Sequence, residues 1–203
     1  MKVLVVFAHP RRESFTGALL DQFLAGAQEA GHEVELCDLY REPFTTFFRP
    51  EDYAQFEGGP MPDDVRREQA RIDAAEGLAF VHPFWWWSFP AILKNWIDRV
   101  FSDGWAYHFE LEGAKGLLSD RPVVILGSCG SSARTWRRYA CDDAIRNEID
   151  IGTFGYCGLT NVTRYMFYKV DNRPDLRERY LAEAGEIGRR FPDPYEQATT
   201  EGA

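Results

Sequence analysis

The 203-residue chain has no hydrophobic run near the length of a membrane span, and the apolar run at its start, Val3 to Phe7, is too short for a signal peptide. A cytoplasmic protein with no membrane span is the expectation. Positive charge is scarce: 23 Lys and Arg stand against 32 Asp and Glu, a net charge of −9, which argues against nucleic acid as a partner. An anionic cofactor is still allowed, because backbone N–H groups at a helix start can hold a phosphate. Cysteine is sparse and unpatterned. Cys37, Cys129, Cys141 and Cys157 show no CxxC spacing, so neither a zinc site nor a disulfide framework is indicated and no metal is assigned. The glycine signatures of dinucleotide folds and Walker-type loops are missing too. All four histidines (His9, His32, His82, His108) precede Cys129, so a hydrolase in nucleophile–acid–histidine order cannot be built on Gly127-Ser128-Cys129-Gly130-Ser131. A nucleophile elbow of another kind at Cys129 stays open as an alternative.

What is present is an alternation of apolar runs and helical stripes. Residues 2–7 (KVLVVF) read as a central parallel strand. A helix over residues 15–30 follows, with Ser14 as N-cap and Gly31 as its stop. Residues 33–39 read as a second strand, 63–76 as a helix, 78–81 as a third strand halted by His82-Pro83, and 123–126 as a fourth. Residues 160–170 supply a fifth strand and 174–191 a closing helix. The pattern predicts an α/β, flavodoxin-like three-layer sandwich with a five-stranded parallel sheet in the order 2-1-3-4-5, one domain over residues 1–191, and a frayed polar tail over 192–203. Ligands of such sheets bind beyond the carboxyl ends of the strands. Three loops fall there: His9–Ser14, Pro83–Trp87 and Gly127–Ser132.

The middle loop is the most distinctive. Trp85, Trp86 and Trp87 stand where a turn is normally polar, and three neighbours in extended structure cannot all face one core, so at least one should line a cavity or interface. Pro90 then opens a helix striped by Ile92, Leu93, Trp96, Ile97, Val100 and Phe101. Residues 40–59 form a long connection without periodicity, and Phe44, Phe47, Phe48, Tyr53 and Phe56 would leave a costly apolar patch on a monomer.

The run Pro83-Phe84-Trp85-Trp86-Trp87, then Pro90-Ala91-Ile92-Leu93-Lys94, Trp96, Asp98-Arg99-Val100-Phe101, Gly104 and Ala106-Tyr107 resembles flavin-dependent NAD(P)H:quinone reductases of the DT-diaphorase type. The likeness covers residues 2–191. It implies that His9, Ser14, Phe15, Thr16, Gly17 and Ala18 cradle the flavin phosphates. Pro83 to Trp87 would wall the ring, Gly127, Ser128, Cys129 and Gly130 would meet its pyrimidine edge, and Arg177 would contact the adenine half. Trp105, Tyr107, Phe109 and Tyr156 would face the substrate, with Tyr107 and His108 as catalytic candidates. The family's relay tyrosine and histidine are not preserved; counting back from Gly155-Tyr156-Cys157-Gly158 places Tyr139 near the histidine's position. The resemblance further implies FAD, with FMN as the alternative, and NAD(P)H as co-substrate giving hydride to flavin N5 in ping-pong order before a quinone or similar planar acceptor enters. It implies a homodimer whose interface takes in the 40–59 excursion and the active site. A flavodoxin-like electron carrier or accessory subunit, without NAD(P)H turnover of its own, is the alternative of a different class.

Overall fold

From Val3 to Phe7 every side chain of β1 (Lys2–Phe7) is apolar and fully buried, the pattern of a strand covered on both faces. The computed structural model describes residues 1–197 apart from Thr46, Glu112 and Asn172. β1 pairs in parallel with β2 (Glu33–Asp38) on one side and with β3 (Gly77–Pro83) on the other. β6 (Val123–Ser128) and β7 (Val162–Phe167) continue the sheet, giving the spatial order β2-β1-β3-β6-β7. In chain order of the parallel strands this is 2-1-3-4-5, as the alternation predicts. Among the described residues no helix is long and apolar enough to cross a membrane.

Helix α1 (Phe15–Glu29) packs on the closing helix α7 (Pro174–Arg190), and two glycines make the approach possible. A Cβ on Gly26 would lie 2.0 Å from Gly185 O, and one on Gly188 would lie 2.2 Å from Phe23 O. On the opposite face, α3 (Asp63–Ala74) and α4 (Ala91–Val100) cover β1 and β3. Trp96 of α4 is fully buried and donates its indole N–H to Glu68, whose charge is met by Arg71 at 3.1 Å. Cys37 and Glu42 join that network, and the burial and the neighbouring Glu68 charge push the Cys37 thiol far above its usual range.

Several details differ from the sequence reading. β3 runs through His82 and Pro83 instead of stopping at Val81. Proline is tolerated there because β1 has already ended: the last bond on that side is Ala8 N–H to Val81 O, whereas the β6 side continues with Phe84 N–H to Ser128 O. The 40–59 excursion is ordered by a short 3-10 turn (Pro50–Tyr53) and α2 (Ala54–Glu57). Fully buried Arg99 pins it, pairing with Asp52 at 2.9 Å and Asp64 at 2.7 Å while stacking on Phe44. Burial works against ionisation of Asp64, yet the Arg99 guanidinium overcomes it and holds the carboxyl down at about 2. A two-stranded antiparallel ribbon, β4 (Tyr107–Glu110) and β5 (Gly113–Gly116), was not foreseen; four-residue strands carry too little alternation to read. Nor were α5 (Ala133–Arg138), α6 (Cys141–Ile145) and the π-helical stretch Arg146–Phe154. The tail is docked, not frayed, as far as Gln197. Tyr195 N–H donates to Tyr165 Oη, and the Gln197 side chain bonds both the N–H and the C=O of Met166 on the sheet's last strand. Residues 198–203, the rest of the expected tail, lie outside the described residues.

Candidate active site

Four strands deliver their following residues to one rim of the sheet, where they enclose two adjoining clefts. The first, of about 240 Å³, takes its wall after β1 from His9, Arg11, Ser14, Phe15 and Thr16. Pro83, Phe84 and Trp85 enter from β3, Ser128, Cys129 and Gly130 from β6, and Val170, Asp171 and Arg177 from β7 and the start of α7.

The loop after β1 is built by local chemistry. Ser14 lies in the extended region and its Oγ accepts the Gly17 N–H at 3.1 Å, while Ser14 O accepts from Ala18. Phe15 and Thr16 line the cleft and their N–H groups have no acceptor within the helix, so the start of a 15-residue helix offers amide donors to an anion. Thr16 Oγ1 bonds Ser128 Oγ at 2.8 Å, tying the helix start to the end of β6. Arg177 donates Nε to Val170 O at 2.6 Å and lies over the Phe15 ring. His9 folds back on its own loop, Nδ1 2.9 Å from Arg11 O, and burial lowers its pKa against that hydrogen bond. Gly17 and Ala18 do not line the cleft. A Cβ on Gly17 would fall 1.9 Å from Arg12 O, so Gly17 is there to let the loop close.

The second cleft, of about 190 Å³, is lined by Trp86 and Trp87 on one side and by Cys129, Gly130, Ser131 and Trp136 on the other, with Phe84 shared by both clefts. The three tryptophans do not alternate in a strand. They form a tight turn in which Trp86 (φ 53°) and Trp87 (φ 57°) are both left-handed and Ser88 N–H returns to Trp85 O at 3.2 Å. Two central residues with positive φ make a type I′ turn, a place for Asn-Gly. For bulky L-residues the left-handed region costs roughly 1–2 kcal/mol each. The turn sends Trp85 to the first cleft, 5.9 Å from His9 ring to ring, and leaves Trp86 90% exposed.

Gly127 lies beneath Phe84, whose ring would be 2.2 Å from an added Cβ, so it seats the floor and does not touch the cleft. Gly130 does line both clefts, and an added Cβ would meet Asp171 at 2.6 Å. Cys129 is buried with its sulfur near Ser131 O and Oγ, and burial pushes the thiol up to about 11. A buried, neutral thiol with no histidine or other base among its described partners is a poor nucleophile, which counts against the elbow alternative. Trp136, unassigned from sequence, donates its indole N–H to Ser131 Oγ at 2.6 Å and packs edge-on to Phe84.

The remaining candidates are not brought onto these clefts. Tyr107 packs with Phe109 and Tyr156, ring centroids 5.4 and 5.1 Å away, in a cluster around the ribbon. Trp105 donates to Asp73, and His108 stands 3.4 Å from Asp103. Tyr139 closes α5, exposed, against Arg138.

A flat ring carrying a phosphate fits what is here: amide donors at a helix start, Arg11 and Arg177 nearby, and an indole-walled slot facing a turn of small residues. A family model described as the flavodoxin-like fold matches residues 1–189. An uncharacterized NAD(P)H oxidoreductase of Haemophilus influenzae is 33% identical over 184 residues, 90% of this chain and 91% of that one. The solved NAD(P)H:quinone oxidoreductase from Methanothermobacter marburgensis is 36% identical with a TM-score of 0.85, covering 93% of this chain and 98% of that one. An FMN-dependent NADH-azoreductase from Bacillus anthracis, solved in complex with FMN, shares the fold at 17% identity and a TM-score of 0.75, over 95% of this chain and 99% of that one. With matches along nearly its whole length and the expected strand order, this chain belongs to the flavodoxin-like family, among its NAD(P)H oxidoreductases and quinone reductases.

Proposed function

We propose that the chain is a flavin-dependent NAD(P)H oxidoreductase that reduces a quinone or a similar planar acceptor, acting as a cytoplasmic homodimer. The observation that carries this reading is the adjacency of the two clefts, one suited to a phosphate and the other to a flat ring. When bound, flavin supplies a ring able to take a hydride from NAD(P)H and hand its electrons on. The chain's own work is binding and orientation. Phe15 and Thr16 N–H groups would hold the phosphate with Trp85 beside it, and Trp86 and Trp87 would cover one face of the ring. Cys129 and Gly130 approach its edge, and buried Phe84 keeps water from beneath it. Arg177, which lines the first cleft over the Phe15 ring, is the residue that supports FAD over FMN. The nicotinamide donor and the acceptor take turns in one slot.

The exposed aromatics Phe47, Phe48, Tyr53 and Phe56 support pairing with a second copy. In such a dimer Trp105, Tyr107, His108, Phe109 and Tyr156 face the acceptor across the interface, with Tyr107 and His108 as its polar contacts, while Tyr139 keeps the place of the missing relay. Purified protein should be yellow, and mass analysis of the released chromophore should identify FAD. Stopped-flow mixing with NADPH should bleach it rapidly, which an electron carrier would not do, and turnover should give parallel double-reciprocal lines. Trp86→Ala should weaken flavin retention; a colourless protein that takes up neither FAD nor FMN overturns the proposal.

A further inference from the structure

The strained turn at Trp86 and Trp87 needs something to hold it, and the structure offers one side-chain tie. Ser88, the turn's exit residue, donates its hydroxyl to Glu148 Oε1 at 2.7 Å. Among the described residues this is the one side-chain hydrogen bond made by residues 84–89. Glu148 is well placed to serve as an anchor. It lies in the π-helical stretch Arg146–Phe154, a wide helical form often found at functional sites. Ile149 and Phe154 are fully buried and root that stretch in the core while Glu148 itself stands exposed, and Thr153 Oγ1 donates back to Glu148 O at 2.9 Å. Two glycines accommodate the wide turn. A Cβ on Gly152 would be 2.8 Å from Asn147 O, and one on Gly155 would be 3.1 Å from Asp150 O.

We infer that Glu148 is a positioning residue: acting through Ser88 it holds the Trp86–Trp87 turn in its left-handed form and so fixes the indole wall of the second cleft. The inference rests on the reading of that cleft as a flavin site for its consequence, but not for its geometry. A hydrogen bond costs the turn its freedom to relax toward a right-handed conformation, in which both indoles would leave the cleft. A carboxylate is not required for this; any fixed acceptor at the same atom suffices.

The test compares Ser88→Ala, Glu148→Ala, Glu148→Gln and the double alanine variant. The first readout is the circular-dichroism couplet of the Trp86–Trp87 ring pair, centroids 6.5 Å apart, which reports the turn whether or not flavin is present. The second is the rate of flavin release from the holoprotein. Both alanine variants should lose the couplet and release flavin about five- to tenfold faster, a factor worth about 1 kcal/mol. The double variant should be no worse than either single, and Glu148→Gln should stay within twofold of the parent. Unchanged couplet and release in the alanine variants overturn the inference, as does Glu148→Gln behaving like Glu148→Ala. A parent protein that never binds flavin defeats the proposed function alone, since the couplet still decides the tie.

Discussion

The helix start after β1 and the tryptophan turn after β3 face the same rim, yet they are held in opposite ways. At the first, every local preference agrees with the fold: a serine caps, a glycine admits the close approach, and Thr16 bonds Ser128 from inside the core. At the second, two of the bulkiest residues occupy the conformation that suits them least, with one hydrogen bond from the side of the turn. The first region is positioned by stability, whereas the second spends stability to put indoles where a ring can lie. Substitutions should therefore lower stability and binding together at the helix start, and pull them apart at the turn.

The largest effect expected is at Gly17. Gly17→Ala drives a methyl into Arg12 O and should destabilise by about 3 kcal/mol, the upper end for overpacking. Thermal unfolding and flavin affinity should fall together. A binding loss with no shift in melting temperature would break the comparison.

Acid acts next, at the root of the turn. His82 is fully buried between Phe84 and Phe89, with Nδ1 donating to Pro83 O and Nε2 without a partner among the described residues, and burial lowers its pKa to about 4. The unfolded chain takes up a proton near the ordinary value of 6.5 while the folded one does not. Stability is thus undiminished above that pH, erodes as pH falls from 6.5, and levels off below about 4, for a total on the order of 3 kcal/mol. Urea midpoints measured across that window should follow this slope, and His82→Phe should flatten it.

The turn itself supplies the sign reversal. Replacing Trp86-Trp87 with Asn-Gly relieves left-handed strain at two residues and, net of the indole packing given up, should raise stability by about 1–2 kcal/mol while flavin retention drops. A variant that loses both would mean that the indoles stabilise the fold more than their backbone strains it. The smallest effect is Thr16→Val, which removes one buried hydroxyl bond and should cost about 1 kcal/mol, read as a shift in melting temperature.

The same contrast explains what could be read from the sequence. β1, α1 and their junction were legible because Val3 to Phe7, Ser14 and Gly31 each express a local rule that tertiary packing did not overrule. The tryptophans stand out in the sequence as a cavity wall on the premise of an extended backbone, which the fold does not keep. The I′ turn was invisible because nothing in Trp-Trp favours positive φ. Pro83 misled for a related reason: whether its missing N–H matters depends on where the neighbouring strand ends, which sequence does not state. Trp136 and Glu148 were missed because residues 133–154 form short helices and a π-helical stretch that match no 3.6-residue stripe.

The Gln197 amide, clasping Met166 front and back, works as a one-residue surrogate strand. It plugs the hydrogen-bonding slot that an incoming β-segment from another molecule would need. Self-association by sheet extension is thereby discouraged along that border of the sheet.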